Sequence, residues 1–94
     1  MPKKAKTIRL GEECSIVDRT PCDLKVSIAY AAQSARELHL PIYGKLQQIQ
    51  KTGVVSETAA RNTLRTWAKQ VEGSASATTS QKHMVAAVAD RNQL

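Results

Sequence analysis

Apolar residues recur along this chain at spacings of three and four, the period of a helix with one buried face. Leu24, Ile28, Ala31, Ala32, Ala35 and Leu38 form one such stripe. The spacing predicts a helix over 24–38, with Asp23 as its N-cap after the turn Thr20-Pro21-Cys22. His39-Leu40-Pro41 interrupts the pattern, because the residue before a proline resists the α region while proline suits a first helical position. Ile42, Leu46 and Ile49 carry a second, shorter helix over 41–51, slightly weakened by Gly44. Gly53 stands just past its end, where a left-handed glycine closes a helix.

Ser56 is the expected cap of a third helix over 57–71, whose inward stripe is Ala60, Leu64, Trp67 and Val71. Val55 precedes that cap, a place for an apolar residue that packs against the helix it introduces. The small-residue stretch 73–79 reads as a linker. Ser80 then caps a last helix over 80–92, with Met84, Val85 and Val88 as a narrow stripe. Such a helix needs a partner, either the core or a second copy of the chain. Residues 7–10 and 14–17 are short strand candidates.

Ninety-four residues make one domain at most. With one Trp, two Tyr and no Phe, its core must come from Leu, Ile, Val and Ala, which suits closely packed helices better than a sandwich. The expected class is mainly all-α. Residues 1–20 would be a basic N-terminal arm with a short extended segment, and 21–72 a three-helix core. Residues 73–79 would be the linker and 80–94 an extra C-terminal helix, a candidate dimerisation element.

The net charge of +6 directs attention to anionic partners, nucleic acid first and an acidic membrane surface second. No apolar run approaches the roughly 20 residues that span a bilayer. Residues 1–9 are basic and polar, with no apolar segment of a secretory signal behind them. A cytoplasmic protein with reduced, structural thiols is therefore expected, without a membrane role. Cys14 and Cys22 stand at C-x7-C, which matches neither a redox nor a zinc spacing. The acids are scattered, His39 and His83 lie far apart, and no glycine-rich phosphate loop occurs. Neither an enzyme nor a cofactor or metal requirement is expected.

What remains is the outer face of the third helix. Thr58, Arg61, Asn62, Arg65, Thr66 and Lys69 lie away from the apolar stripe, with no carboxylate among them. Arginine offers a bidentate fork to guanine and asparagine one to adenine, and only one side of a helix reaches the bases in a major groove. Ser56 and the first helical N–H groups can receive a phosphate. Lys45 and Lys51, and Lys3, Lys4, Lys6 and Arg9 of the arm, are further candidates for phosphate contact. Trp67 belongs to the inward stripe and is assigned to the core. Tyr43, by its spacing, is more exposed and within reach of a phosphate.

The segment 42–67 resembles the helix-turn-helix family of DNA-binding domains. Its third-helix run V-S-E-T-A-A-R-N-T-L-R-T-W is similar to the recognition helix of winged-helix repressors. There a Val-Ser step enters the helix, a Thr or Ser follows, an Arg or Lys faces DNA and a Leu anchors the helix. The matching positions are Val55-Ser56, Thr58, Arg61 and Leu64. The chain departs from that pattern by an extra valine in Gly53-Val54-Val55-Ser56, by Leu46 and Ile49 where a small residue is usual, and by the lack of strands after Val71 to form a wing. The resemblance implies a sequence-specific binder of double-stranded DNA, a repressor-like transcriptional regulator acting as a homodimer on two half-sites. Two alternatives stay open. One is a helical adaptor that binds a protein through the Ala-rich first helix and the Met84–Val88 stripe. The other is a ribbon-helix-helix DNA binder in which residues 7–10 pair with their copy, suggested by the run ARELHLPIYGKLQQI.

Overall fold

The computed structural model describes residues 6–11 and 19–94. Helix α1, Thr20–Glu37, begins earlier than the apolar spacing predicts. Pro21 sits in its first turn, where a missing N–H is harmless. Asp23 lies inside that turn, where its charge suits the positive helix end, and is not the cap. Arg19 occupies the cap position without a side-chain bond. At the other end His39 takes a left-handed φ of 54°. The Leu40 N–H closes on the Ala35 carbonyl at 2.9 Å, which turns Leu40 into the core.

Helix α2, Tyr43–Thr52, ends where expected. Gly53 has φ 72° and its N–H meets the Ile49 carbonyl at 2.9 Å. A side chain at that φ would be strained. Val54–Ser56 then forms a short strand that the sequence patterns do not predict. It is β2, and it pairs antiparallel with β1, Thr7–Arg9, in the register Thr7↔Ser56, Ile8↔Val55 and Arg9↔Val54. Two further backbone bonds extend the ladder, Leu10 N–H to Gly53 and Glu57 N–H to Lys6.

Residues 7–9 thus form a paired strand of the fold and not a solvated arm. Alternation in Thr-Ile-Arg sends Ile8 inward, where it is 1% exposed, and leaves Thr7 and Arg9 outside. The pairing is within the chain, whereas the ribbon alternative has these residues pair with a second copy. Lys3, Lys4 and the strand candidate at 14–17 lie outside the described residues.

Helix α3, Glu57–Glu72, starts at the predicted cap: Ser56 Oγ accepts the Ala59 N–H at 3.1 Å. Ala60, Leu64, Trp67 and Val71 are fully buried, as the stripe requires. Thr63 joins them because its hydroxyl returns to the Ala59 carbonyl at 2.7 Å, which satisfies its polar atom locally. Trp67 meets Tyr30 of α1 edge-on, with ring centroids 6.0 Å apart. The half-buried Tyr30 phenol is held above its ordinary pKa, first by burial and then by the charge of Glu37.

After α3 the chain turns tightly through Gly73 and Ser74, whose N–H groups reach the Lys69 and Val71 carbonyls. Helix α4, Thr79–Asn92, is capped by Thr78, not by Ser80. Thr78 and Gln81 form a reciprocal capping box, so two end groups are satisfied at once. α4 packs on α3 and α1, and Val85, Val88 and Asn92 are buried there. The narrow stripe therefore finds its partner in the core of its own chain. α2 leans mainly on α1 and β2, and the Ile42 N–H donates to Gln70 Oε1 at 3.0 Å, tying the start of α2 to the end of α3.

Among the described residues the architecture is mainly helical, with four helices and one two-stranded sheet. No helix among the described residues is long and apolar enough to cross a membrane. Cys22 is disulfide-bonded, which overturns the expectation of a reduced thiol at that position. The other cysteine of the chain, Cys14, lies outside the described residues.

Candidate nucleic-acid interface

An α-helix advances about 100° per residue, so Thr58, Asn62, Arg65 and Lys69 of α3 fall within a sector of about 60°. That sector stands opposite the stripe of Ala60, Leu64, Trp67 and Val71, and all four residues are exposed. Arg65 Nη1 donates to Asn62 Oδ1 at 2.8 Å, one turn away. This bond aligns an arginine fork and an asparagine amide on the same patch of surface. Thr66, also exposed, lies at the edge of the sector, and its hydroxyl donates to the Asn62 carbonyl at 3.1 Å. The hydroxyl of Thr58 stands one turn nearer the helix start.

Arg61 does not belong to this group. Its Nε donates to the backbone carbonyl of Asn92 at 3.1 Å, and its Nη1 pairs with Glu57 at 2.8 Å. Its side chain is only 28% exposed. The expectation that Arg61 reads bases is thus corrected: its guanidinium joins α3 to the end of α4. Glu57 also corrects the picture of a face without carboxylate, since it flanks the first turn of α3 and neutralises Arg61. Glu72, exposed, closes the face at its other end.

The start of α3 is also less open than expected. The Glu57 N–H is taken by the Lys6 carbonyl at 2.7 Å and the Ala59 N–H by Ser56. Two of the first helical donors are therefore engaged, and Ser56, half-buried, serves the helix before any ligand. The strand β1 is what closes this end, and its three-residue pairing has no local signal in the sequence.

Of the other cations, Lys45 and Lys51 are exposed on α2, and Lys6 and Arg9 on and beside β1. Tyr43 is half-buried against the core. The surface expected of an adaptor is mostly absorbed: Ala31, Ala32, Ala35, Val85 and Val88 are buried, and Met84 remains outside at 40% exposure. Among the described residues α3 is followed by α4 and not by strands.

The geometry leaves one outward polar sector on α3 with two cations, an amide and a hydroxyl, set on a helix whose opposite side is locked into the core. In comparisons with protein-family models, curated proteins and solved structures, no match is found.

Proposed function

We propose that this protein binds double-stranded DNA, with the outer face of α3 in the major groove. The observation that carries the reading is the exposed sector Thr58, Asn62, Arg65 and Lys69, opposite a fully buried stripe. A helix held this way presents its polar side as a rigid unit, and Arg65 and Asn62 have the forks that match guanine and adenine edges. Lys69, with Lys45 and Lys51 of α2, supplies charge for phosphates, in keeping with a net charge of +6. In this reading the protein is a small repressor-like regulator, and a homodimer places two copies of the face on two half-sites. A cytoplasmic location goes with it, and Cys22 tests that part. Reduced thiol in protein taken from cells fits the cytoplasm, and an intact disulfide fits an oxidising compartment.

The test is binding-site selection on random duplex DNA, followed by gel shifts across salt concentrations. Affinity that falls steeply with salt, and falls further in Arg65→Ala/Lys69→Ala with the fold retained, is the expected result. No selected sequence, or equal affinity in that double variant, overturns the assignment of α3. Sedimentation of the bound complex decides the dimer.

A further inference from the structure

A polar cleft of about 250 Å³ opens where the start of α1 meets the end of α4, with α3 forming one wall. Three arginines line it from three separate parts of the chain: Arg19 before α1, Arg61 on α3 and Arg91 near the end of α4. Asp23 is the one carboxylate among the described residues that line it. We propose that this cleft binds a phosphate group, held by the guanidiniums of Arg19, Arg61 and Arg91.

Arg61 is oriented in advance. With Nε on the Asn92 carbonyl and Nη1 on Glu57, its remaining amino group is left for a ligand, and no side-chain ordering is needed on binding. Arg19 and Arg91 are exposed, and neither makes an ion pair or a side-chain hydrogen bond among the described residues. Asp23 shares the cleft with them but stands beyond ion-pair distance, so it does not neutralise them.

Arg19 and Arg91 bring two unpaired positive charges to one cleft, and an anion between them relieves their mutual repulsion while Arg61 adds a pre-oriented donor. The helix ends do not decide the matter. The positive end of α1 and the negative end of α4 both border the cleft and offset each other. Guanidiniums arriving from three directions suit a tetrahedral oxyanion better than a planar carboxylate, which one fork would satisfy. The site shares no residue with the sector Thr58, Asn62, Arg65 and Lys69, so it can be tested apart from the assignment of α3.

The test titrates the isotope-labelled chain with inorganic phosphate, using chloride at matched ionic strength as the control, and follows backbone amides by NMR. Saturable shifts at Thr20, Arg91 and Gln93 with phosphate alone are expected. Arg19→Gln/Arg91→Gln should weaken that binding by at least about tenfold, the scale of a lost charge-assisted hydrogen bond. Asp23→Asn should tighten it. Both arginines are exposed, so the fold should persist, and a thermal melt of the double variant checks this. Shifts equal to those in chloride, or unchanged in the double variant, overturn the site. A duplex arm then assigns the source of the group. A shallower salt dependence of DNA binding in the double variant identifies a backbone phosphate. An unchanged one identifies a free phosphate or phosphomonoester.

Discussion

The side-chain amide of Asn92 donates to the hydroxyl of Ser27 at 2.7 Å, joining the last turn of α4 to the middle of α1. The same amide also reaches the Val88 carbonyl at 2.9 Å, and the backbone carbonyl of Asn92 accepts from Arg61. One buried residue thus connects three helices. Replacing it leaves the Ser27 hydroxyl buried without this partner, so Asn92→Ala should lower stability by about 1–3 kcal/mol. Urea denaturation measures it, and Ser27→Ala/Asn92→Ala should cost less than the sum of the single changes.

Arg61 and Arg65 should behave differently although both stand on α3. Arg61→Ala removes the bond to Asn92 and the pair with Glu57, at a cost of about 1–2 kcal/mol. Arg65→Ala removes only a surface bond to Asn62 and should change stability by less than about 0.5 kcal/mol. Thermal melts of the two variants separate them. Equal losses would place both arginines in the same role.

Trp67 is fully buried, and its Nε1 finds no acceptor among the described residues. Trp67→Ala should cost about 3–5 kcal/mol, enough to unfold much of a domain of this size. Trp67→Phe keeps most of the ring and removes the unsatisfied N–H, so its cost should be far smaller. As the sole tryptophan of the chain, Trp67 also reports the transition directly by its fluorescence.

Tyr30 gives an alkaline signature. Its folded pKa is raised above the ordinary 10.0 by burial and by Glu37, so the native state keeps the phenolic proton longer than the unfolded chain does. The resulting stability is fully present below pH 10.0 and is lost as pH rises through the folded value. Tyr30→Phe has no such proton. The difference in stability between wild type and Tyr30→Phe should stay constant at neutral pH and shift against wild type above 10.0.

The features readable from the sequence were the local ones. The stripe of α3, the Ser56 cap and the Gly53 turn depend on residues within a few positions of each other. The capping box at Thr78 and Gln81 is equally local, and Ser80, two residues on, carries the same cap chemistry. Pro21 likewise marked an earlier start for α1 than Asp23 did. The strand pair β1–β2 was not readable as a pair, because three residues carry little periodicity and their partner lies far along the chain. The role of Arg61 was hidden for the same reason. On α3 alone it is one more cation, and only the arrival of Asn92 from α4 makes it part of the framework.

The pairing of Ile8 with Val55 joins residues about 47 positions apart, while the helices are built from near neighbours. Closing such a loop is slow relative to forming a helix. During synthesis Ile8 emerges well before its partner strand exists, so it stays uncovered until the turn after α2 has left the ribosome. Docking of β1 is therefore a late event, and the start of α3 remains open until it happens. A chain shortened past Ile8 would keep its helices but lose the last step that seals the entrance to α3.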